Sequence, residues 1–361
     1  MHWSRKRNRA RARVPIRRVL AAILFCLLLA GCTAPVLTPQ GYFSDRIHDM
    51  WQLMFPISIV VFVVVLLTLF YALFRQRRPG EGENLRAGRT MVLFGGAILP
   101  GIVMIILMVE VVAILVDVSL IGGQLERQGE NRGLIGQPNV AEPEAEVADL
   151  VVDVIGRHWW WEVIYPNQGI VTANEIHMPE DALVLVRLTS DGVMHSFWVP
   201  ALNGKTDMLP GSISNTWLHG YYTDAYRGQC AEYCGIGHAK MRLLTITQTE
   251  EDLEVYLSRE AEPAPEPTTE ETIRGQAVFV EQGCAACHAI RGLSDAGEIG
   301  PDLTHLLSRR EIAAGTLVNT RGNRAGWIVD SQSIKPGNMM PPFPMPPSDL
   351  QALLAYLDTL E

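Results

Sequence analysis

The chain has 361 residues, 48% of them hydrophobic and 19% charged, with a net charge of −9. At about 150 residues per domain there is room for two or three domains. A mean hydropathy above zero excludes a disordered chain and indicates membrane-embedded segments, and the acidic balance argues against a nucleic-acid partner.

Residues 1–31 carry eight basic side chains and no acid. An apolar run over 19–30 follows the basic part and is too short to span a bilayer, which is the pattern of a signal peptide. The run ends in Leu29-Ala30-Gly31-Cys32, which resembles the lipobox of bacterial lipoproteins. That resemblance implies loss of residues 1–31 and a lipid on Cys32.

Residues 32–120 read as a membrane anchor. Apolar stretches over 50–74 and 91–116 each suffice to cross a hydrocarbon core of about 30 Å at 1.5 Å per residue. Between them Arg75, Arg77, Arg78, Arg86 and Arg89 stand against Glu81 and Glu83, which places this loop in the cytoplasm. The rest then faces the outer side of a bacterial cytoplasmic (inner) membrane. Glu110 lies inside the second stretch, where an acid faces protein, such as a neighbouring subunit, in preference to lipid.

Residues 121–147, with five glycines and a Glu/Pro cluster, predict a linker. Over 148–257 short alternating apolar runs separated by turn residues predict an all-β sandwich or barrel. Residues 258–270 predict a stiff, solvated acidic spacer: 259–271 holds five glutamates and three prolines. From there to residue 361 the periodicity is helical. Thr268-x-x-Glu271 predicts a capping box, and Ser348 opens a last helix with Leu350, Leu353, Leu354 and Leu357 on one face.

Apart from Cys26 and Cys32, the cysteines form two close pairs. In Cys230-Ala-Glu232-Tyr-Cys234-Gly-Ile-Gly-His238-Ala-Lys-Met241, two thiols, an imidazole and a thioether fall within twelve residues. Soft sulfur with imidazole suits copper, and a β domain can bring His195 from an earlier strand as a second imidazole. A mononuclear blue site needs one thiolate, so the second is available to bridge a pair of ions. A Cys230–Cys234 disulfide or a structural zinc site are the competing readings.

This constellation resembles subunit II of cytochrome c oxidase, as do His195-Ser-Phe, the turn from Lys205 to Gly211 and the run from Trp159 to Pro166. The resemblance covers about residues 40–257. It implies a cupredoxin barrel with a binuclear CuA centre of two copper ions, held by His195, Cys230, the Glu232 carbonyl, Cys234, His238 and Met241. It further implies a magnesium ion at the Glu232 side chain, shared with subunit I, and Trp159 as the residue at which electrons reach copper. Strand alternation requires at least one of the three tryptophans to pack inward instead. Residues 92–97, Val-Leu-Phe-Gly-Gly-Ala, stand where family members carry a Leu-Glu-x-x-Trp-Thr stretch, so no proton-channel acid is expected there.

Cys284-Ala-Ala-Cys287-His288 is the attachment signature of a c-type haem, with a redox-active C-x-x-C as the competitor. Both thiols add to one porphyrin edge and a helical turn directs His288 to the iron. With Gly300-Pro-Asp-Leu-Thr304 and the flanking helices, the segment resembles a class I cytochrome c. A methionine is then the sixth ligand: Met339, Met340 and Met345 compete, and Met340 before Pro341 fits best. Trp327 is a candidate for the haem edge, or simply for the core.

The expected architecture is multidomain: a two-helix transmembrane hairpin, an all-β cupredoxin-like barrel and an all-α class I cytochrome c domain. The implied function is to relay electrons in a respiratory haem–copper terminal oxidase, from a donor through the haem c to CuA and on to subunit I. There oxygen is reduced to water with proton pumping. The implied partners are subunit I, further oxidase subunits, and a donor such as a quinol:cytochrome c reductase or a soluble cytochrome. A CuA-bearing subunit of a nitric oxide reductase and a membrane-tethered electron carrier are the other readings. The spacer leaves the haem domain free to move between donor and copper domain.

Overall fold

A computed structural model describes residues 35–75, 85–128, 148–294 and 299–361. Cys26, Cys32, the signal segment and most of the arginine-rich loop lie outside these residues.

Helix α1 (Tyr42–Phe74) has 33 residues, about 50 Å, so it outreaches the hydrocarbon core. Its first turn is fixed to the β domain. Ser44 Oγ donates to the Ala201 carbonyl at 2.6 Å and the Tyr221 hydroxyl donates to Asp45 at 2.7 Å. Gly41 is required there, because a Cβ would stand 1.8 Å from the His219 carbonyl oxygen. The second membrane helix forms from α2 (Leu85–Leu93) and α3 (Leu99–Gln128), joined by a π-helical turn over Phe94–Ile98. That turn overlaps residues 92–97, where no proton-channel acid was expected. Helix α3 continues to Gln128, so residues 121–128, predicted as linker, are helical. Gln124, Leu125, Glu126 and Arg127 are good helix formers and outweigh the Gly122-Gly123 pair.

The β domain is a sandwich of two five-stranded sheets. One runs β3 (Ile170–Ala173), β2 (Trp160–Tyr165), β1 (Leu150–Arg157), β5 (Val184–Ser190), β8 (Ser214–Leu218). The other runs β4 (Glu175–Pro179), β10 (Arg242–Gln248), β9 (Asp224–Cys230), β6 (His195–Trp198), β7 (Thr206–Met208). Inward residues of both sheets, among them Val152, Val154, Trp161, Val186, Leu188, Phe197 and Leu243, make one core.

Helix α4 (Glu250–Ala261) takes up the start of the predicted spacer. The spacer then lies against the last domain: Arg291 donates to the Glu260 and Ala261 carbonyls, and His305 Nε2 donates to the Glu262 carbonyl at 2.9 Å. Its acid and proline content signals solvation, but its backbone carbonyls are what the neighbouring side chains bind. Helix α5 (Glu270–Glu281) is capped by Thr269 with Thr272, one position after the predicted box. Helix α6 (Arg321–Val329) and the short α7 (Ser331–Ile334) follow a small hairpin of β11 (Glu311–Ile312) and β12 (Leu317–Val318). The last helix, α8 (Pro347–Leu357), starts at Pro347 and not at Ser348, since proline suits the first helical position. Its Leu353, Leu354 and Leu357 are buried against Val278 and Phe279 of α5. The two helices cross closely enough that a Cβ on Gly275 would stand 2.0 Å from the Ala352 carbonyl oxygen.

Candidate copper and haem sites

The first site is built at one end of the sandwich. Cys230 ends β9, the loop 231–241 carries Cys234, His238 and Met241, and His195 opens the neighbouring strand β6. Cys230 Sγ lies 3.8 Å from Cys234 Sγ, 3.7 Å from His195 Nδ1 and 3.2 Å from the Glu232 carbonyl oxygen. Cys234 Sγ lies 3.7 Å from His238 Nδ1 and 3.9 Å from Met241 Sδ. The thiols are free, and 3.8 Å is far beyond a disulfide bond. His195, Cys230 and Cys234 form a buried group able to hold a metal. All six atoms named from the sequence therefore converge.

The surroundings explain how. A Cβ on Gly156 of β1 would stand 2.7 Å from His195 Cδ2, so only glycine leaves room for this imidazole. Hydrogen bonding with Cys234 holds the Cys230 thiol well below the ordinary cysteine range. Its partner Cys234 is pushed up by Cys230. Two soft sulfurs, two imidazole nitrogens, a thioether and a carbonyl fit copper better than zinc, which seldom takes Met.

The second site is a cavity of about 430 Å³ in the last domain, lined by Cys284, Cys287, His288, Trp327, Met340 and Leu353 among others. Cys284–Ala286 is a 3₁₀ turn, and the His288 N–H donates to the Cys284 carbonyl at 3.0 Å. His288 Nδ1 donates to the Pro301 carbonyl at 2.7 Å, leaving Nε2 as the available ligand atom. Burial lowers the His288 pKa and keeps the imidazole neutral, as metal ligation requires. A Cβ on Gly300 would stand 2.6 Å from this ring. The Met340 carbonyl accepts from Ser331 Oγ at 2.6 Å and Gln332 Nε2 at 2.9 Å, and its N–H donates to Asn338 at 2.8 Å. Met339 also lines the cavity but is exposed, while Met345, half-buried against the core, does not line the cavity.

The cavity has walls from both domains, His158, Trp159, Trp160 and Asn174 being the β-domain contribution. Trp159 precedes β2. Its Nε1 donates to the Cys234 carbonyl at 2.8 Å, and its ring lies against Gly235 and Gly237. Trp160 packs with Ala173 and Ala314, and Trp161 is in the sandwich core, so the tryptophans divide as strand alternation requires.

The last domain is docked against the β domain, an arrangement the spacer reading had not anticipated. Glu175 Oε1 accepts from the backbone N–H groups of Arg310 (2.7 Å) and Glu311 (3.1 Å). Arg309 Nε donates to Thr172 Oγ1 at 3.3 Å, Arg227 pairs with Glu311 at 2.6 Å, and the Arg242 N–H donates to the Ala314 carbonyl at 3.1 Å. Lys335 Nζ donates to the Trp159 carbonyl at 2.7 Å. Trp159 apart, none of these partners carried a sequence signal.

Two family models match the chain: "Cytochrome C oxidase subunit II, periplasmic domain" over residues 168–248 and "Cytochrome c" over 273–361. The cytochrome c oxidase subunit 2 of Alkalihalophilus pseudofirmus is 32% identical over 354 residues, covering 95% of this chain and 97% of that protein. That of Bacillus subtilis is 30% identical over 363 residues, covering 96% and 98%. A quinol oxidase subunit 2 of Bacillus spizizenii is 25% identical over 258 residues, covering 70% and 74%. Among solved structures, the periplasmic domain of subunit II of cytochrome oxidase of Bradyrhizobium japonicum matches with 26% identity and a TM-score of 0.31, covering 31% of this chain and 94% of that one.

Proposed function

The chain belongs to the cytochrome c oxidase subunit II family, and on that premise we propose that it relays electrons from a covalent haem, past Trp159, to a binuclear copper centre. Its setting is a haem–copper oxidase anchored in a membrane and associated with subunit I, with copper and haem as cofactors. Oxygen chemistry resides in subunit I.

Cys230, Cys234, His195, His238, Met241 and the Glu232 carbonyl would together hold two copper ions. Bound there, the metals supply reversible one-electron exchange. The chain's own part is to fix the donors and keep water out: His195 and Met241 are fully buried and both thiols nearly so. The Glu232 side chain would hold a magnesium ion shared with subunit I. In the other domain Cys284 and Cys287 would carry the haem and His288 and Met340 its iron, a pairing that raises the potential of the haem. Cys32 would carry a lipid after removal of residues 1–31.

The observation that carries the reading is Trp159. It lines the cavity bounded by Cys284, Cys287 and His288, and its indole reaches the Cys234 carbonyl. The test is the purified complex, assayed for copper content, the spectrum of the oxidised copper and gas consumption. Two coppers per chain, hyperfine structure from two equivalent nuclei and oxygen uptake are expected. One copper with a four-line spectrum would overturn the binuclear centre. Nitric oxide consumption without oxygen uptake would favour the reductase reading. Mass spectrometry of the mature amino terminus tests Cys32.

A further inference from the structure

Lys335 lies at the end of α7, in the last domain, and is 4% exposed. Its amine donates to the Trp159 carbonyl at 2.7 Å, across the domain boundary, and lies 3.3 Å from the Ala313 carbonyl in its own domain. No carboxylate pairs with it among the described residues. A long flexible cation this deeply buried costs conformational entropy and desolvation, and two carbonyl acceptors are the only return. The same segment is held from the other side. Lys240, on the copper loop, donates to the Ile334 carbonyl, and Gly337 (φ 80°) lies against Ile236, where a Cβ would stand 2.5 Å from Ile236 Cγ2. Four residues beyond Gly337 the chain has passed Met340. The segment that carries the sixth haem ligand is thus pinned to the residue whose indole touches the copper loop.

We propose that Lys335 is a positioning residue that ties the Trp159 backbone to the haem domain, so that the two domains work as one docked unit with the haem crevice held against the indole. Buried partners elsewhere on this boundary fit a permanent seat better than a transient encounter. Glu175 is 2% exposed, Thr172 1% and Arg309 7%. An outside donor must then approach a face of the haem domain that the copper domain does not cover. The inference rests on the relay reading for its rate effect, whereas the docking itself is independent of that reading.

Two measurements on the full-length protein in the assembled oxidase test it. The first is labelling of the wild-type chain with an amine-reactive ester, read by mass spectrometry. Lys205 is exposed and should label readily, while Lys335 should stay unmodified. Comparable labelling of both would overturn the docked unit, whatever the protein's electron transfer does. The second is Lys335→Met, which removes the donor and keeps the length. With the haem spectrum and covalent attachment intact, haem-to-copper transfer should slow by about tenfold, in line with a misplaced reacting pair. Reduction of the haem by an outside reductant should be unchanged. A wild-type transfer rate in this variant would overturn the positioning role. If Lys335→Met fails to attach haem, Lys335→Ala, which also removes the donor, takes its place: a slowed transfer rate is expected, and a rate equal to wild type would overturn the role.

Discussion

The Trp159 indole N–H donates to the Cys234 carbonyl at 2.8 Å while the Trp159 carbonyl accepts from Lys335 at 2.7 Å. One residue is therefore bonded to the copper loop through its side chain and to the haem domain through its backbone. The indole is the part of the connection that a substitution can remove without disturbing either donor set. Trp159→Ala should leave copper content and the haem spectrum as in wild type. It should slow haem-to-copper transfer by about tenfold or more in stopped-flow spectra, the scale expected when a positioned group is lost.

Gly156 supports the copper donors from behind. Gly156→Ala places a methyl 2.7 Å from His195 Cδ2, so the ring or the strand must shift. Overpacking of this kind costs about 1–3 kcal/mol. Metal analysis should show reduced copper and thermal unfolding a lower midpoint, with the haem spectrum unaffected because the change is confined to the β domain.

The haem ligand assignment separates Met340 from its neighbours. Met340→Ala should lower the haem potential in a redox titration by about 0.1 V or more, a small part of the roughly 0.8 V that axial ligands span. Met345→Leu should leave the potential unchanged, since Met345 does not line the cavity.

The two sites were legible in the sequence because each is encoded within a short segment. Twelve residues hold five of the proposed copper donors, and five residues hold the haem attachment signature and the proposed first axial ligand. His195 is the distant copper candidate, and it was named because a β domain can bring a second imidazole from an earlier strand. What joins the domains was illegible. Lys335 and Trp159 are 176 residues apart, and Glu175 meets Arg310 across 135, and no spacing rule encodes such pairs. The acidic, proline-rich spacer misled for a related reason. Its composition describes its side chains, but Arg291 and His305 bind its carbonyls, which every sequence has. The helix cap slipped by one residue because Thr268 and Thr269 are both competent caps.

Docking should depend on pH through Lys335. Burial, with a smaller contribution from Lys240 on the copper loop, pushes its amine down to about 7, Cys234 acting in the opposite sense. In the undocked state the amine returns to an ordinary value of about 10.4. Between those values the undocked form holds the extra proton, so docking strengthens as pH rises from about 7 to about 10 and is flat with respect to this group below 7. The neutral amine still donates to both carbonyls. The urea midpoint for exposing the boundary should rise from pH 7 to 9 in wild type relative to Lys335→Met. Parallel curves for the two proteins would contradict the assignment.

The central claim is an order of events: haem first, copper second, with Trp159 between them. The most direct measurement is rapid mixing of the oxidised, fully loaded complex with its electron donor, following haem and copper absorbance together. The account predicts that the haem is reduced first and reoxidised as copper takes up the electron, with only the second phase slowed in Trp159→Ala. Reduction of copper before the haem, or a second phase indifferent to Trp159, would contradict it.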